Sequence, residues 1–285
     1  MPRNLEVWQH CERQHVSDEC IHGFQPGLCA SCYPKPAPEV AVGATKQATR
    51  ARTATAVRSA PARTKSVAGA ARLDNVGEQR IYHLTHVRNL PAILDLGILF
   101  ADENPAWHAR PTVDIASPAT RADRRTTPVA GSGDATVAGF VPFFLSPNAR
   151  LWQSIRSGEP DSQLSRDIAG ADAADFVLLV STVKTVADSD ASYVVSDADA
   201  AHVLTRFATT RDDVERSLRR LRADQTSDAL EHAEFLVRES IPFESITLIG
   251  VAHDKARAAV RQLLAGAAHS PKVAVYPPWF AAPDE

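Results

Sequence analysis

The chain has 285 residues, of which 44% are hydrophobic and 23% are charged, and these values are typical of a globular protein. Its length predicts one main domain with a smaller accessory module. No apolar run approaches the roughly 20 residues that a membrane-spanning helix requires, and the first residues lack the basic-then-apolar pattern of a signal peptide. These features argue against a membrane or secreted protein, and we expect a cytoplasmic one.

The net charge of −3 is unevenly distributed along the chain. Residues 34–73 hold eight Lys or Arg and one acid, a local charge of +7, whereas residues 1–33 carry −2. This leaves −8 for residues 74–285. A domain this acidic is not a general binder of polyanions, so any affinity for nucleic acid would have to come from a local patch or from the basic segment.

All four cysteines, Cys11, Cys20, Cys29 and Cys32, lie near the N-terminus. In a reducing compartment, clustered thiols are more typical of a metal site than of disulfides. The Cys-x-x-Cys pair allows two thiolates to bind one tetrahedral zinc ion. Residues 1–33 therefore predict a structural zinc module with the four cysteines as ligands. A set with His22 in place of Cys11, and free thiols in a loose N-terminus, are the alternatives.

Residues 34–77 are rich in Ala, Thr, Pro, Arg and Lys, and no aromatic residue occurs between Tyr33 and Tyr82. Such a segment cannot bury enough apolar surface to offset the entropy of ordering it. It is predicted to be a flexible basic linker, which would either attract phosphates or act as a solvated spacer.

The pattern of residues 78–285 predicts an α+β domain with peripheral helices. Its strands are predicted over residues 81–86, 141–147, 176–180, 193–195, 245–251 and 272–276. Its helices are predicted over residues 89–97, 149–157, 197–208, 212–223 and 255–264, with Asn89 as one N-cap and Ser196-Asp197 capping another. Residues 103–138 lack periodicity, and we expect a long surface loop with at most a short helix.

Glu234 directly precedes the apolar run Phe235-Leu236-Val237. A carboxylate beside a buried strand is costly to desolvate unless it is paired, hydrogen-bonded or functional. Paired arginines such as Arg124-Arg125 can bind a diphosphate through bidentate hydrogen bonds. The ordinary alternatives are a surface glutamate and solvated arginines.

Four motifs occur in a consistent order: Ile81-Tyr82-His83-Leu84-Thr85-His86, Arg124-Arg125, Val141-Pro142-Phe143-Phe144 and Ala233-Glu234-Phe235-Leu236-Val237. Together they resemble the DarT family, DNA ADP-ribosyltransferase toxins that are paired with a macrodomain antitoxin. The resemblance spans residues 80–277. It implies an ADP-ribosyltransferase fold of two packed, strongly curved sheets, whose cleft takes NAD⁺ as substrate.

The resemblance also implies roles for individual residues. Glu234 matches the catalytic glutamate, and either Arg124 or Arg125 matches the arginine that binds the diphosphate and assists catalysis. The other residues implied to contact NAD⁺ are His83, Thr85 and Asn89 at the nicotinamide ribose and amide, and Phe144 on the nicotinamide ring. A carboxylate bonded to the ribose 2′-hydroxyl would stabilise the positive charge that develops when the glycosidic bond breaks.

The chain departs from the family pattern at several positions. Phe144 replaces a tyrosine, and Asn148 replaces an arginine, with Arg150 two residues later. Asp199 stands where the family has a histidine, and His202 follows it. Asp199 and His202 are therefore the candidate acceptor-side residues, and they leave the acceptor base open between thymine and guanine.

We therefore expect an NAD⁺-dependent ADP-ribosyltransferase toxin that modifies a base in single-stranded DNA. One alternative keeps the chemistry and changes the acceptor to RNA or protein. The other is a catalytically inactive, zinc-containing protein that binds nucleic acid.

Overall fold

The computed structural model describes residues 75–283, apart from residue 109 and residues 225–227. The predicted zinc module with its candidate ligands Cys11, Cys20, His22, Cys29 and Cys32 lies outside the described residues, as does nearly all of the predicted linker. The described fold is therefore that of the domain predicted from residue 78 onward.

Ten strands and seven α-helices make up the described part of the chain, and none of these helices is long and apolar enough to cross a membrane. The strands are β1 (Arg80–His86), β2 (Ile98–Phe100), β3 (Phe140–Phe144), β4 (Phe176–Thr182), β5 (Tyr193–Ser196), β6 (Phe207–Ala208), β7 (Glu234–Arg238), β8 (Ser240–Pro242), β9 (Leu248–Val251) and β10 (Lys272–Val275). The helices are α1 (Leu90–Leu96), α2 (Pro118–Thr126), α3 (Arg150–Ser157), α4 (Val183–Ala187), α5 (Arg211–Ala223), α6 (Ala229–His232) and α7 (Asp254–Leu264).

Eight of the strands form one large sheet in the order β10-β9-β4-β1-β3-β7-β5-β6, and β2 pairs with β8 separately. Strand β1 pairs with β4 over its whole length, from Arg80↔Thr182 to His86↔Phe176. It pairs with β3 only at Tyr82↔Phe144. The expected two sheets are thus two four-stranded halves of one sheet, joined at a single position.

Pro142 explains why β1 and β3 separate. The Pro142 carbonyl oxygen faces β1, where it bonds to His83 Nδ1 at 2.8 Å. The nitrogen of a strand residue lies on the same side of the strand as its carbonyl, and a proline nitrogen carries no hydrogen. Strand β3 therefore lacks a backbone donor toward β1 at this position, while its pairing with β7 is intact from Phe140↔Arg238 to Phe144↔Glu234.

Helices cover both faces of the sheet. Helices α5 and α7 bury apolar side chains such as Leu218 and Val260 in the larger core cluster, together with Leu179 of β4. The opposite face of β4, including Phe176, packs against Trp152 of α3. Burial on both faces accounts for the uninterrupted apolar run from which β4 was predicted.

Three predicted elements are wrong in extent or type. The strand predicted over residues 141–147 ends at Phe144, and residues 145–147 form a bend and a turn. Residues 197–206 form turns rather than a helix, because the ends of the segment bond to each other: Asp197 N donates to Arg206 O at 3.1 Å, and Arg206 N donates to Asp197 Oδ1 at 2.9 Å. The strand predicted from residue 245 begins only at Leu248, because Phe243–Ser245 form a 3₁₀ turn. In the last two cases a hydrogen-bonded turn takes the place of the element that local propensity predicted.

Candidate active site

A cavity of about 690 Å³ lies beside the position where β1 and β3 separate. Its volume is in the range of sites for small molecules and cofactors. Its wall includes eight residues that were predicted from the sequence: His83, Thr85, Asn89, Arg124, Phe144, Asp199, His202 and Glu234. Arg125 does not line it, and its Nη2 bonds to Asp102 Oδ2 at 2.5 Å.

Glu234 is the first residue of β7, and its side chain is only 7% exposed. Its Oε1 accepts hydrogen bonds from Arg124 Nη1 at 3.2 Å and from the Ala200 backbone N–H at 2.9 Å, and its Oε2 accepts one from Arg124 Nη2 at 3.0 Å. A carboxylate has about four acceptor sites. Glu234 uses three of them within the described residues, so one site on Oε2 can accept a further donor.

The backbone at Glu234 is held by β5. Glu234 N donates to Ser196 Oγ at 2.9 Å, and Ser196 Oγ donates to Ala198 O at 2.6 Å. Glu234 also lies opposite Phe144 in the β3–β7 register. Side chains at opposed antiparallel positions share one face of the sheet, so the carboxylate and the aromatic ring face the same side.

Arg124 lies in the last turn of α2 and its side chain is 18% exposed. Burial by itself lowers the pKa of Arg124, but the carboxylates of Glu234, Asp199 and Asp102 outweigh burial, and the net pKa is raised. The guanidinium is therefore a permanent buried cation. Replacing the carboxylate that balances it would leave this charge uncompensated.

Ion pairs hold α2 in the orientation that directs Arg124 at Glu234. Arg121 and Arg125 lie three residues before and one residue after Arg124, and both contact Asp102. Arg121 also contacts Asp114 in the segment that precedes α2. The helix is thus bound to two positions, Asp102 and Asp114, in the segment between β2 and α2.

Asn89 connects the end of β1 to the loop before α2. The prediction that its side chain caps α1 is wrong, because the side chain makes no capping hydrogen bond. Instead, Nδ2 donates to Thr85 Oγ1 at 3.2 Å and to Val113 O at 2.9 Å, and Oδ1 accepts from Val113 N at 2.9 Å. Asn89 therefore positions Thr85 and the cavity wall, and Thr85 keeps its hydroxyl hydrogen for another acceptor.

His83 is fixed by β3. Because a carbonyl oxygen can only accept, its bond with Pro142 O assigns the hydrogen to Nδ1 and leaves Nε2 as an acceptor. Burial lowers the pKa of His83, and the Pro142 carbonyl offsets this only in part. The ring is therefore neutral near pH 7.

Asp199 and His202 belong to the 197–206 loop, on the wall nearest Glu234. Asp199 Oδ2 accepts a hydrogen bond from Gln163 Nε2, and Oδ1 accepts one from Ala201 N at 2.9 Å. His202 is exposed, and its Nδ1 accepts from Leu204 N at 3.3 Å. The loop places a carboxylate and an imidazole at the mouth of the cavity.

Besides the predicted Arg124, three arginines of the cavity wall were not predicted as site residues. Arg110, Arg121 and Arg124 line the cavity together with Arg150. The first three have ion pairs, whereas Arg150 has none with any residue of the described ranges. The spacing of Arg121 and Arg124 on one helix was a usable signal, because residues three apart are neighbours on a helix surface. The signal for Arg150 was its place two residues after Asn148, where the family pattern has an arginine.

The described residues contain no group of three or more His, Cys, Asp or Glu side chains that could hold a metal ion. The side chains of the cavity nonetheless suit a charged organic substrate. They provide a buried carboxylate with a free acceptor site, several guanidinium groups and the half-buried ring of Phe144. This combination can bind phosphates at one end and stabilise a developing positive charge at the other.

Known proteins are similar to this chain in sequence. DNA ADP-ribosyl transferase of Thermus aquaticus is 28% identical over 206 residues, which cover 70% of this chain and 88% of the relative. DNA ADP-ribosyl transferase of Mycobacterium tuberculosis is 25% identical over 197 residues, covering 65% of this chain and 81% of the relative.

Solved structures agree on the fold. Thermus sp. 2.9 DarT in complex with ADP-ribosylated ssDNA superposes with a TM-score of 0.61 at 23% identity, covering 71% of this chain and 96% of that one. The same DarT in complex with NAD⁺ gives a TM-score of 0.57 at 22% identity, covering 71% and 98%.

The family model described as "ssDNA thymidine ADP-ribosyltransferase, DarT" matches residues 82–281. This range includes the whole of the cavity wall. The chain therefore belongs to the DarT family of ADP-ribosyltransferases.

Proposed function

We propose that this protein transfers ADP-ribose from NAD⁺ to a base in single-stranded DNA, within the cavity around Glu234. The observation that carries the proposal is the Glu234–Arg124 pair, a buried carboxylate fixed by two guanidinium hydrogen bonds and one backbone N–H in a cavity of about 690 Å³. Membership of the DarT family supplies the reaction.

In this reaction the bond between the ribose C1′ and the nicotinamide nitrogen breaks, and both of its electrons leave with nicotinamide. The ribose carbon becomes positively charged before a nitrogen of the acceptor base donates its electron pair to form the new glycosidic bond. The proton of that base nitrogen passes to Glu234. The free acceptor site on Glu234 Oε2 is suited to the ribose 2′-hydroxyl, where a carboxylate stabilises the transition state more than the ground state.

The other wall residues have roles that follow from their chemistry. We assign Arg124 to the NAD⁺ diphosphate as well as to Glu234, because its guanidinium is permanently charged. His83 and Thr85 have an acceptor nitrogen and a donor hydroxyl for the nicotinamide amide and ribose. The ring of Phe144 packs against nicotinamide. Asp199 and His202 contact the acceptor base.

The acceptor is a base in single-stranded DNA, and the family description names thymidine. A DarT of Thermus sp. 2.9 has been solved with ADP-ribosylated ssDNA, which supports this acceptor. A single strand also spares the enzyme the cost of unpairing a duplex. Asp199, a proposed acceptor-side residue, stands where the family has histidine. The transfer assay described next therefore tests thymine and guanine as alternative acceptor bases.

The experiment that tests this function is transfer of labelled ADP-ribose from NAD⁺ to single-stranded oligonucleotides, with RNA and protein as competing acceptors. Glu234→Gln should lower the rate by about 10²- to 10⁴-fold, because it removes the carboxylate that acts as base and charge stabiliser. Glu244→Gln is the matched control, since Glu244 is an exposed glutamate of a 3₁₀ turn.

Each result has a distinct meaning. Labelling of DNA supports the proposal, and labelling of RNA or protein alone would replace the acceptor. If the wild-type protein labels nothing while Glu234→Gln binds DNA equally well, the protein is an inactive nucleic-acid-binding member of the family. A melting scan and NAD⁺ titration of Glu234→Gln separate loss of chemistry from loss of folding.

We further propose that residues 1–33 form a structural zinc module, joined by a flexible basic linker over residues 34–77 to the transferase domain of residues 78–285. Four thiolates satisfy tetrahedral zinc. A chelator should remove the metal and unfold this module while NAD⁺ affinity stays the same, because the cavity wall is formed by residues 83–234. Loss of NAD⁺ binding on chelation would show that the module belongs to the catalytic core.

The biological setting that fits this chemistry is a cytoplasmic toxin controlled by a macrodomain-type partner that reverses the modification. The DarTG of Thermosipho africanus, solved in complex with ADP-ribose, shares the fold with a TM-score of 0.52 at 15% identity. Expression of the wild type, but not of Glu234→Gln, should arrest growth, and co-expression of a macrodomain that removes ADP-ribose from DNA should relieve it.

A further inference from the structure

A second, smaller groove of about 290 Å³ lies on the other side of the 197–206 loop from the cavity. Asp199 and His202, in the middle of the loop, line the cavity, whereas its end residues Asp197 and Arg206 line the groove. The opposite wall of the groove is α5. A polymer that leaves the mouth of the cavity therefore has only this loop to cross before it reaches the groove.

The groove is basic within an acidic domain. Three guanidinium groups line it, those of Arg206, Arg216 and Arg220, together with the carboxylates of Asp197 and Asp213, which leaves a net charge of +1. Residues 206–222 contain six arginines and three acids, a charge of +3, although residues 74–285 as a whole carry −8. This is a local basic patch of the kind that a generally acidic domain needs in order to bind a polyanion.

The ion pairs in the groove leave its arginines accessible. Arg216 contacts Asp213, and its side chain is 71% exposed. Arg220 is 63% exposed and lies 3.6 Å from Asp197, while Arg206 has no ion pair with any residue in the described ranges. Exposed pairs of this kind contribute about 0–1 kcal/mol, so a phosphate can compete for the guanidinium groups.

Apolar groups accompany these charges. Phe207, a half-buried aromatic residue, lines the groove. Val203 and Leu204 at the tip of the loop are 87% and 78% exposed, and large apolar side chains this exposed side by side mark a contact surface. Proteins that bind single strands combine a cationic groove for phosphates with apolar and aromatic side chains for bases.

We propose that the groove between the 197–206 loop and α5 binds phosphates of the acceptor strand beyond the modified base, with the strand crossing the loop over Val203 and Leu204. The inference rests on the proposed function, because it assigns a second contact surface to the same nucleic-acid substrate. If the groove binds the strand, the affinity of the protein for single-stranded DNA depends on the length of the strand. The base in the cavity undergoes the chemistry, and the neighbouring nucleotides supply affinity through the groove.

The test compares oligonucleotides of about 4 and about 16 nucleotides with the same modifiable base, using the full chain and saturating NAD⁺. The double variant Arg206→Gln/Arg216→Gln should raise KM for the long strand about tenfold more than for the short one. Removing two phosphate contacts should also reduce the slope of log affinity against log salt by about 1.4 for a single strand.

Arg219→Gln is the matched control. Arg219 lies on the same helix, has a similar exposed ion pair with Glu215, and does not line the groove. It should leave the KM ratio of long to short strands and the salt slope at their wild-type values. NAD⁺ affinity and the melting temperature of the double variant verify that the cavity and the fold are intact.

The outcomes separate the groove from the function itself. Equal effects of the double variant on both strand lengths, no effect on either, or an effect that Arg219→Gln reproduces would overturn the groove proposal. If the groove instead binds an acidic protein partner, the double variant should have no effect on either strand length. If the wild type modifies no oligonucleotide of either length, the proposed function fails instead.

Discussion

Two partly buried arginines, Arg124 and Arg156, differ in their partners. Arg124, in the cavity wall, has the carboxylate of Glu234 as its main partner, and the pKa of Arg124 is raised because the surrounding carboxylates outweigh burial. Arg156, on α3, is bonded to the carbonyl oxygens of Pro278 and Trp279 at 3.5 and 3.3 Å. Burial lowers the pKa of Arg156, and the charge of Glu231 compensates only partly.

The difference separates an arginine suited to substrate from one suited to structure. Arg124 faces a cavity and has a charged partner that also has an acceptor site to spare. Arg156 ties the C-terminal segment to α3, where its guanidinium lies 5.8 Å from the ring of Trp152. Its Nε is buried and lacks a hydrogen-bond partner among the described residues. Arg124 is paired with a carboxylate, whereas Arg156 is bonded to backbone carbonyls. Substitutions of Arg124 and Arg156 should therefore have different consequences.

The largest effect is expected at Arg124. Arg124→Gln leaves Glu234 buried without its charged partner and removes the proposed diphosphate contact, so transfer should fall about 10³-fold and the free energy of unfolding should decrease by about 3 kcal/mol. Arg125→Gln is the matched control, because Arg125 is the next residue, pairs with Asp102 and does not itself line the cavity. Initial rates and denaturant unfolding check this prediction. Equal rate losses at the two positions would contradict the assignment of Arg124.

A smaller effect, on stability alone, is expected at Arg156. Arg156→Met keeps the apolar part of the side chain and loses the bonds to the C-terminal carbonyls, which should cost about 1–2 kcal/mol. The cost is limited because Trp152 Nε1 still donates to Trp279 O at 2.7 Å. The rate per folded molecule should not change, as measured by activity below the melting transition. A selective loss of kcat with an unchanged melting temperature would contradict the structural role.

The smallest effect is a pH dependence from His83, a residue held between the two halves of the sheet. Its pKa is lower in the folded protein than in the unfolded chain, so its contribution to stability is present above the unfolded value of about 6.5 and is lost as the pH falls below it. Melting temperatures at pH 7.5 and 5.5 measure the loss. His83→Gln should narrow the gap between them, and an unchanged gap would assign the acid sensitivity to other groups.

Much of the fold was predictable because its elements have strong local signals. The apolar run of β4 and the periodic apolar positions of α5 predicted both elements within a few residues. Gly97 ends α1 with φ 66°, a conformation that glycine adopts without strain, and this end was predicted from its position. The ordered motifs of the sequence also predicted the family, since sequence order is preserved even where identity is low.

The 197–206 loop shows where local signals failed. Its alanines favour a helix, but Ala200 N donates to Glu234 and the two ends of the segment bond to each other. The pattern of apolar residues predicts neither contact. Ala200 and Glu234 are distant in sequence, and the bond between Arg206 and Asp197 closes the loop itself. The loop that separates the cavity from the groove could therefore be recognised only in three dimensions.

The sequence by itself determined the family and the candidate residues, because residue type and order are enough to indicate a carboxylate, a pair of arginines and a family. Tertiary structure decided which of them meet. Arg124 lies at Glu234 while its neighbour Arg125 faces Asp102, since successive residues of a helix point about 100° apart. Pro142 separates β1 from β3 only because its nitrogen faces the neighbouring strand, and that orientation depends on the register of the sheet.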